Sequence, residues 1–528
     1  METAHAYLPW DRHLALAHGL ELPGVALGAV LFADISGFSP LFNALVQRYG
    51  ARRGADELTQ CLNAVYGALI AEVDRFGRSV INFSGDAITC WYAAHSPFLA
   101  GSAGAEGVKG ATLRAVASAL AMQPAIQPFQ TIESSAGPPI RLALKTAVAA
   151  GWVHRYRVGN PAVQYIDVLA GTLLEQMAAA EQMAQKAELV LASATAETAE
   201  AALDIAQWRT DAQGARFAVV QGLRQIVQAT PPAAAQPLPD AEVRRWVLPE
   251  IYRRLQAEQS RFLAELRPAT ALFLRFSGLD YANDPKAGDK LDAYVRWVQE
   301  LVDRYEGALI QLTTGDKGSY LYAAFGAPIA HDDDIVRAVS VALKLRETSA
   351  LFPFLHSVQI GLSQGMMRTG AYGSPTRRTY GVLGDVTGFA ARLMTHAAPG
   401  QIVISQQIAE AIAHTHALED LGRIKVKGWV EPQPAFALRG PHQQPGTGRW
   451  QRYASPLVGR EKELALLRPL LAQTRQGQGV LIRLEGPAGV GKSHLAARFV
   501  SQAGQEGLGL VQAPRQSPSP AVGHSPAR

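Results

Sequence analysis

The stretch LFADISGF (Leu31 to Phe38) closes an apolar run that starts at Val25. NFSGDAITCWYAA (Asn82 to Ala94) then sets Gly85-Asp86 between two further apolar runs. The first reads as a strand passing into a helix, the second as a hairpin with Gly-Asp at its turn. Both recur later in the same order and at similar spacing, as LFLRFSGL (Leu272 to Leu279) and LTTGDKGSYLYAA (Leu312 to Ala324), with Gly315-Asp316 at the second turn. A period this long marks a duplicated domain and not a solenoid. Strands mixed with helices and hairpins predict an α+β fold, an α/β sandwich with a partly antiparallel sheet, built twice.

Punctuation between the copies sets the boundaries. QATPPAAAQPLPD (Gln228 to Asp240) and GPHQQPGTG (Gly440 to Gly448) read as extended, weakly packed linkers. The organisation expected is a first domain at 20–225, a linker and connecting helix at 226–267, a second domain at 268–440, a linker at 441–454, a third segment at 455–500 and a disordered tail at 501–528. Val243 to Leu266 is amphipathic and predicted helical despite Pro249. Hydrophobic residues at 48% and charged residues at 18% exclude a disordered chain. Two cysteines, Cys61 and Cys90, exclude a disulfide framework and fit a reducing compartment. No signal peptide or membrane span is legible, and a cytoplasmic protein without membrane contact is expected. The net charge of +5 is too small to argue for nucleic acid, and its excess sits after residue 440, where 11 Lys and Arg face 4 Asp and Glu.

Asp34 and Asp86 carry the first chemical signal. If their strands are neighbours, both carboxylates leave one sheet edge, where two carboxylates and substrate phosphates suffice for Mg²⁺. Ser36 and Gly37 open the next helix, whose backbone N–H groups suit a polyphosphate. As separate residues, Asp34 is equally a helix cap and Asp86 a turn residue. The second copy has Arg275 in place of Asp34 and keeps Asp316, so one copy looks metal-binding and the other looks like its partner. Tyr165 to Gln185 is Ala- and Met-rich at helical spacing and reads as core or interface. His331 to Asp334 (HDDD) reads as the start of a solvated helix.

These motifs, with TTGDKGSYLYAAFGAP (Thr313 to Pro328), YGVLGDVTGFAARLM (Tyr380 to Met394) and KVKGWVEPQPAFAL (Lys425 to Leu438), resemble class III nucleotidyl cyclases. The likeness is to the soluble, bicarbonate-responsive type, in which tandem cyclase domains precede a P-loop ATPase region. It implies two ferredoxin-like domains paired head to tail within one chain, a monomer, with the nucleotide between them. It implies a metal set of Asp34, Ile35 and Asp86 for Mg²⁺ or Mn²⁺, and nucleotide contacts at Gly37, Phe38 and Gln311. Arg392 would stabilise charge on the α-phosphate as the ribose 3′-oxygen of ATP attacks it, giving cyclic AMP and pyrophosphate.

The sequence departs from that pattern at four places. Gly388 stands where the family has a ribose-orienting asparagine, and Gly381 where it has a purine-reading Asp or Thr. Gln311 or Leu312 stands at the purine-reading lysine, and Asn82 at the lysine used for bicarbonate sensing. The helix expected around Val168 to Gln185 lacks the basic partner of that lysine, so bicarbonate regulation is not carried over. Two readings stay open: a weakened cyclase, and a cyclase-derived regulatory pair that binds nucleotide without turnover.

GPAGVGKS (Gly486 to Ser493) fits the phosphate-loop pattern G-x-x-x-x-G-K-[ST], between an apolar strand predicted at Val480 to Leu484 and a helix-forming HLAARFV. Gly486, Gly489 and Gly491 would free the loop to wrap phosphates. Lys492 would reach the β- and γ-phosphates and Ser493 a magnesium ion. The sequence given offers no later apolar strand ending in a Walker-B aspartate, so an incomplete α/β fragment with little ATP hydrolysis is expected.

Overall fold

The computed structural model describes residues 4–77, 79–98, 107–129, 131–132, 140–230, 236–257, 265–314, 318–425, 431–442, 459–475, 478–485 and 490–505. The chain divides into two compact units, 1–440 and 441–528. In the first, α1 (Trp10–Ala17) precedes β1 (Val25–Ser36), α2 (Phe38–Arg75), β2 (Ser79–Ser84), β3 (Ala87–Ala93) and α3 (Gly107–Ile126). A small ribbon of β4 (Thr131–Ile132) and β5 (Ile140–Arg141) leads to β6 (Ala143–Val158), β7 (Ile166–Ala170), α4 (Thr172–Met183), β8 (Leu189–Ala192), α5 (Ser193–Glu197), β9 (Leu203–Thr210) and β10 (Arg216–Leu223). The connecting segment forms α6 (Asp240–Arg244) and α7 (Pro249–Gln256). Then come β11 (Glu265–Phe276), α8 (Ala287–Arg304), β12 (Ala308–Thr313), β13 (Ser319–Phe325), α9 (Asp334–Leu345), α10 (Thr348–Leu351), β14 (Gln359–Gly373), β15 (Arg378–Leu383) and α11 (Asp385–His396). This half closes with β16 (Ile402–Ser405), α12 (Gln406–Ile412), β17 (His416–Ile424) and β18 (Gln433–Pro441).

The duplication is visible in the topology. One sheet runs β2-β3-β1-β6-β8-β10-β9 with β7 hung on β6. The other runs β12-β13-β11-β14-β16-β18-β17 with β15 hung on β14. Each begins as β-α-β-β-α-β with the ferredoxin-like order, so the fold is the α+β arrangement expected. β1 is central because nearly every residue in VALGAVLFADIS is apolar. Ala29, Leu31, Ala33 and Ile35 pack on the side of α2 and α3, and Val30 packs on the opposite face.

The two halves exchange hairpins. Val158 and Val168, from the β6–β7 hairpin of the first half, lie in the core of the second, while Tyr372 from β14 lies in the core of the first. Each burial contributes about 1.5–3 kcal/mol. Polar contacts fix the register on both sides. The Gly159 and Asn160 amides donate to Asp292 (2.7 Å) and Gln299 (2.7 Å) of α8. Reciprocally, Arg368 donates to Thr59 (2.9 Å) and the Gly373 amide to Asn63 (3.1 Å) of α2.

Several expectations are corrected. Val243 to Leu266 is not one helix: Pro249 lacks an N–H and starts α7, Leu248 before it is extended (φ −50°, ψ 134°), and Leu266 belongs to β11. The flanks of the Pro-Ala stretch are packed, since Thr230 and Leu238 are buried and the Gln236 carbonyl binds His13 (2.7 Å). Tyr165 to Gln185 begins as a strand, because Gly171 breaks the segment between β7 and α4. Asp334 does open α9, with Asp333 at its cap position paired to Arg337 (2.6 Å). Gly315, Asp316 and Lys317 lie outside the described residues.

In the second unit, α13 (Glu461–Arg475) and α14 (Lys492–Gln505) pack through Leu467, Leu471, Leu495 and Ala497. The strand predicted at Val480 to Leu484 is absent: the segment joins no ladder, and Leu481 is 98% exposed. A strand needs neighbouring N–H and C=O groups, and none from this unit flanks it among the described residues. The helix expected after the phosphate loop is present and runs past residue 500 to Gln505.

Candidate active site

Asp34 lies on β1 opposite Ala87 of β3 and Lys145 of β6. The Ile35 amide donates to the Asp86 carbonyl (3.0 Å), so the hairpin turn carrying Asp86 is tied to the strand carrying Asp34. The two carboxylates thus belong to neighbouring points of one sheet edge. The Ile35 side chain is fully buried in the core. Gly37 takes the left-handed conformation (φ 106°), and a Cβ there would come within 2.7 Å of the Arg141 carbonyl, so only glycine allows α2 to start where it does. α2 opens at Phe38, whose side chain lies outside the described residues; the Ser36 hydroxyl caps the Ala143 carbonyl (3.1 Å).

Asp86 opens onto a cleft of about 350 Å³ between the two halves. Its side chain is reachable from the cleft mouth, yet protein surrounds it closely enough that burial pushes its carboxyl up to about 6. On the opposite wall stand Gly381, Gly388, Asp385 and Arg392. Arg392, on α11, is half-buried, its guanidinium pKa is lowered by burial, and it makes no hydrogen bond or ion pair with any described residue. A half-desolvated cation unpaired among the described residues, across a cleft from a carboxylate held up to about 6, is an arrangement suited to an anionic ligand carrying a cation.

Gln311 lies at the base of the cleft. Its amide donates to Ser84 of the first half (3.1 Å) and to Thr313 (2.6 Å), and the Tyr320 hydroxyl joins the same neutral group. The two glycines differ. A Cβ at Gly388 meets nothing within 4 Å, whereas one at Gly381 would lie 2.4 Å from the Tyr372 ring. The place of a base-reading side chain at 381 is thus taken by an aromatic from β14. Asn82 donates to the Leu312 carbonyl across the halves (3.2 Å) and serves as an interdomain tie.

Of the residues singled out by sequence, Asp86, Gln311 and Arg392 share this cleft, with Asp34 and Ile35 adjoining through the strand pair. Sequence reading missed Tyr66, Tyr372 and Tyr320, because a lone aromatic in an apolar run has no spacing signature. In the phosphate loop, Gly486 and Gly489 lie outside the described residues, as does the Ser493 side chain. Gly491 is left-handed (φ 89°) just before Lys492 opens α14, and Arg460 donates to the Val490 carbonyl (2.9 Å).

Among the described residues no helix is long and apolar enough to cross a membrane. No group of three or more His, Cys, Asp or Glu gathers among them as a metal site.

Residues 283–440 match the adenylate and guanylate cyclase catalytic domain, and residues 456–522 match an AAA ATPase domain. Residues 283–440, the second half, are thus similar to that catalytic domain. The first half repeats the cyclase topology strand for strand. Adenylate cyclase type 10 of Mus musculus is 22% identical over 472 residues, covering 83% of this chain and 28% of the relative. The Homo sapiens protein of the same name is 22% identical over 513 residues, 89% of this chain and 30% of the relative. The chain therefore spans under a third of the length of these relatives. A class III adenylyl cyclase-like ATP-binding protein from Pseudomonas aeruginosa is 12% identical, over 73% of this chain and 85% of that one, with a TM-score of 0.49.

Proposed function

We propose that the chain is a nucleotidyl cyclase that converts ATP to 3′,5′-cyclic AMP and pyrophosphate in the cleft between its halves. The observation that carries this reading is Arg392, unpaired among the described residues, in one cleft with Asp86. Asp34, Asp86 and Ile35 would hold Mg²⁺ or Mn²⁺, and the donor set fits: one carboxylate on β1 and one in the β2–β3 turn tied to it, the latter with its pKa raised by burial. Such an ion supplies Lewis-acid stabilisation of charge on phosphate oxygens. The chain's own residues bind and orient. Gln311, Ser84, Thr313 and Tyr320 offer neutral hydrogen bonds to a base, the start of α2 at Gly37 and Phe38 offers amides to the phosphates, and Arg392 meets the charge that builds on the α-phosphate as the 3′-oxygen attacks in line. Both walls come from one chain, so a cytoplasmic monomer suffices.

The test is cyclic nucleotide formation by the full chain with Mn²⁺ and ATP or GTP. Arg392→Ala is expected to lower turnover by about 10²–10³. Absence of product from either nucleotide at high protein concentration overturns the reading. Gly381 and Gly388 favour a second one, a degenerate pair that binds nucleotide and regulates the AAA ATPase segment. It predicts nucleotide binding without turnover.

A further inference from the structure

Both peptide groups flanking Asp86 are pinned, and one is pinned from two directions. The Asp86 carbonyl accepts from the Ile35 amide at 3.0 Å. The Gly85 carbonyl accepts two phenol hydroxyls: Tyr66 of α2 at 3.0 Å, from the same half, and Tyr372 of β14 at 3.3 Å, from the other half. A carbonyl oxygen has two lone pairs, and here each faces a different half of the molecule. Gly85 is left-handed (φ 69°), so the turn is shaped by glycine and then held by these bonds.

The two rings are fixed in their turn. Tyr66, Tyr372 and Phe83 form a closed triad with centroids 5.4–5.6 Å apart, and both tyrosines are buried. Burial raises both phenol pKa values, which keeps the hydroxyls protonated donors. Tyr372 leads through β14 and β15 directly to α11, the helix that carries Arg392.

We infer that Tyr372 is a positioning residue: through the Gly85 carbonyl it sets the orientation of Asp86 according to the placement of the opposite half, and so aligns the metal-holding turn with Arg392. This rests on the proposed role of Asp86 as a metal ligand.

The test is Mn²⁺ binding to the full chain, followed by the loss of the free-ion electron paramagnetic resonance signal, in wild type, Asp86→Asn, Tyr66→Phe and Tyr372→Phe. Phenylalanine keeps each ring, so melting temperatures should stay close to wild type. Tyr372→Phe is expected to weaken Mn²⁺ binding about 3- to 10-fold, the effect of one hydrogen bond. Tyr66→Phe should act in the same direction, and the double variant should lose more than the product of the two, because each hydroxyl partly covers for the other. In turnover, the Mn²⁺ requirement should rise while the nucleotide KM holds. If Asp86→Asn abolishes binding and Tyr372→Phe titrates like wild type, the positioning role is overturned and the metal site stands. If Asp86→Asn binds Mn²⁺ as wild type does, the metal reading falls and this inference falls with it.

Discussion

Gly388 and Gly381 stand on one wall of the cleft and invite opposite outcomes. Space around Gly388 is open, so Gly388→Asn adds an amide without displacing anything. It is expected to raise cyclic nucleotide formation at least tenfold, read as initial rates with Mn²⁺. Gly381→Asp would drive its Cβ to 2.4 Å from the Tyr372 ring. It should lower both melting temperature and rate, by about 1–3 kcal/mol of overpacking in the first measure. Sequence alone ranks these two positions as equal losses. Only the neighbour of each separates them, and that neighbour comes from another strand. Asp86 is the contrasting case. Its position in the hairpin turn was legible from Gly85-Asp86, and its tie to β1 follows from pairing two apolar runs. Asp86→Asn should abolish Mn²⁺ binding while leaving the metal-free protein at least as stable in a thermal melt, since it removes a carboxylate that burial disfavours.

At the scale of elements, the β6–β7 hairpin carries a charged network with no signature in the sequence. Arg155 on β6 forks onto Asp167 of β7 (2.8 Å to each oxygen) and reaches Asp11 of α1, while Arg12 binds Asp167 at 3.0 Å. Asp11 and Arg12 are neighbours, but they lie more than 140 residues before Arg155 and Asp167, so no spacing rule connects the two pairs. Burial alone would raise the Asp167 carboxyl, but Arg155 and Arg12 overcome it and hold it well below the usual carboxylate range. Removing Asp167 takes away the carboxylate that buried Arg12 and Arg155 share and leaves Arg155 with Asp11 alone, so Asp167→Ala is expected to cost about 3–5 kcal/mol in urea unfolding. The pH dependence follows from the sign of the shift. Asp167 keeps its charge in the folded state where the unfolded chain would protonate it. Its contribution is therefore full above about pH 4 and is lost only as pH falls through the lower, folded value. Wild type should lose stability on acidification below pH 4, and Asp167→Ala should show a flatter acid limb in the same titration.

At the scale of the molecule, the duplication was legible because LFADISGF and NFSGDA recur in order, and a repeated order of strands implies a repeated fold. The exchange of hairpins was not, since Val158, Val168 and Tyr372 read as ordinary strand residues until the core they enter is seen. The phosphate-loop strand failed for the same reason in reverse: Val480 to Leu484 has a strand's composition, but a strand is a property of a pair.

The repeated topology also brings β2, β12 and β7 together around a second, smaller hollow that shares Gln311 and Tyr380 with the cleft. There the space is only about 80 Å³, walled by Tyr7, Trp246 and Leu248 from the N-terminal and connecting segments. Two identical subunits would offer two equal clefts and a choice between them. In this chain only the first half carries Asp34, its counterpart being Arg275, so a calorimetric titration of the Lys492→Ala chain with a non-hydrolysable nucleotide should saturate at one per chain, with a Hill coefficient of one.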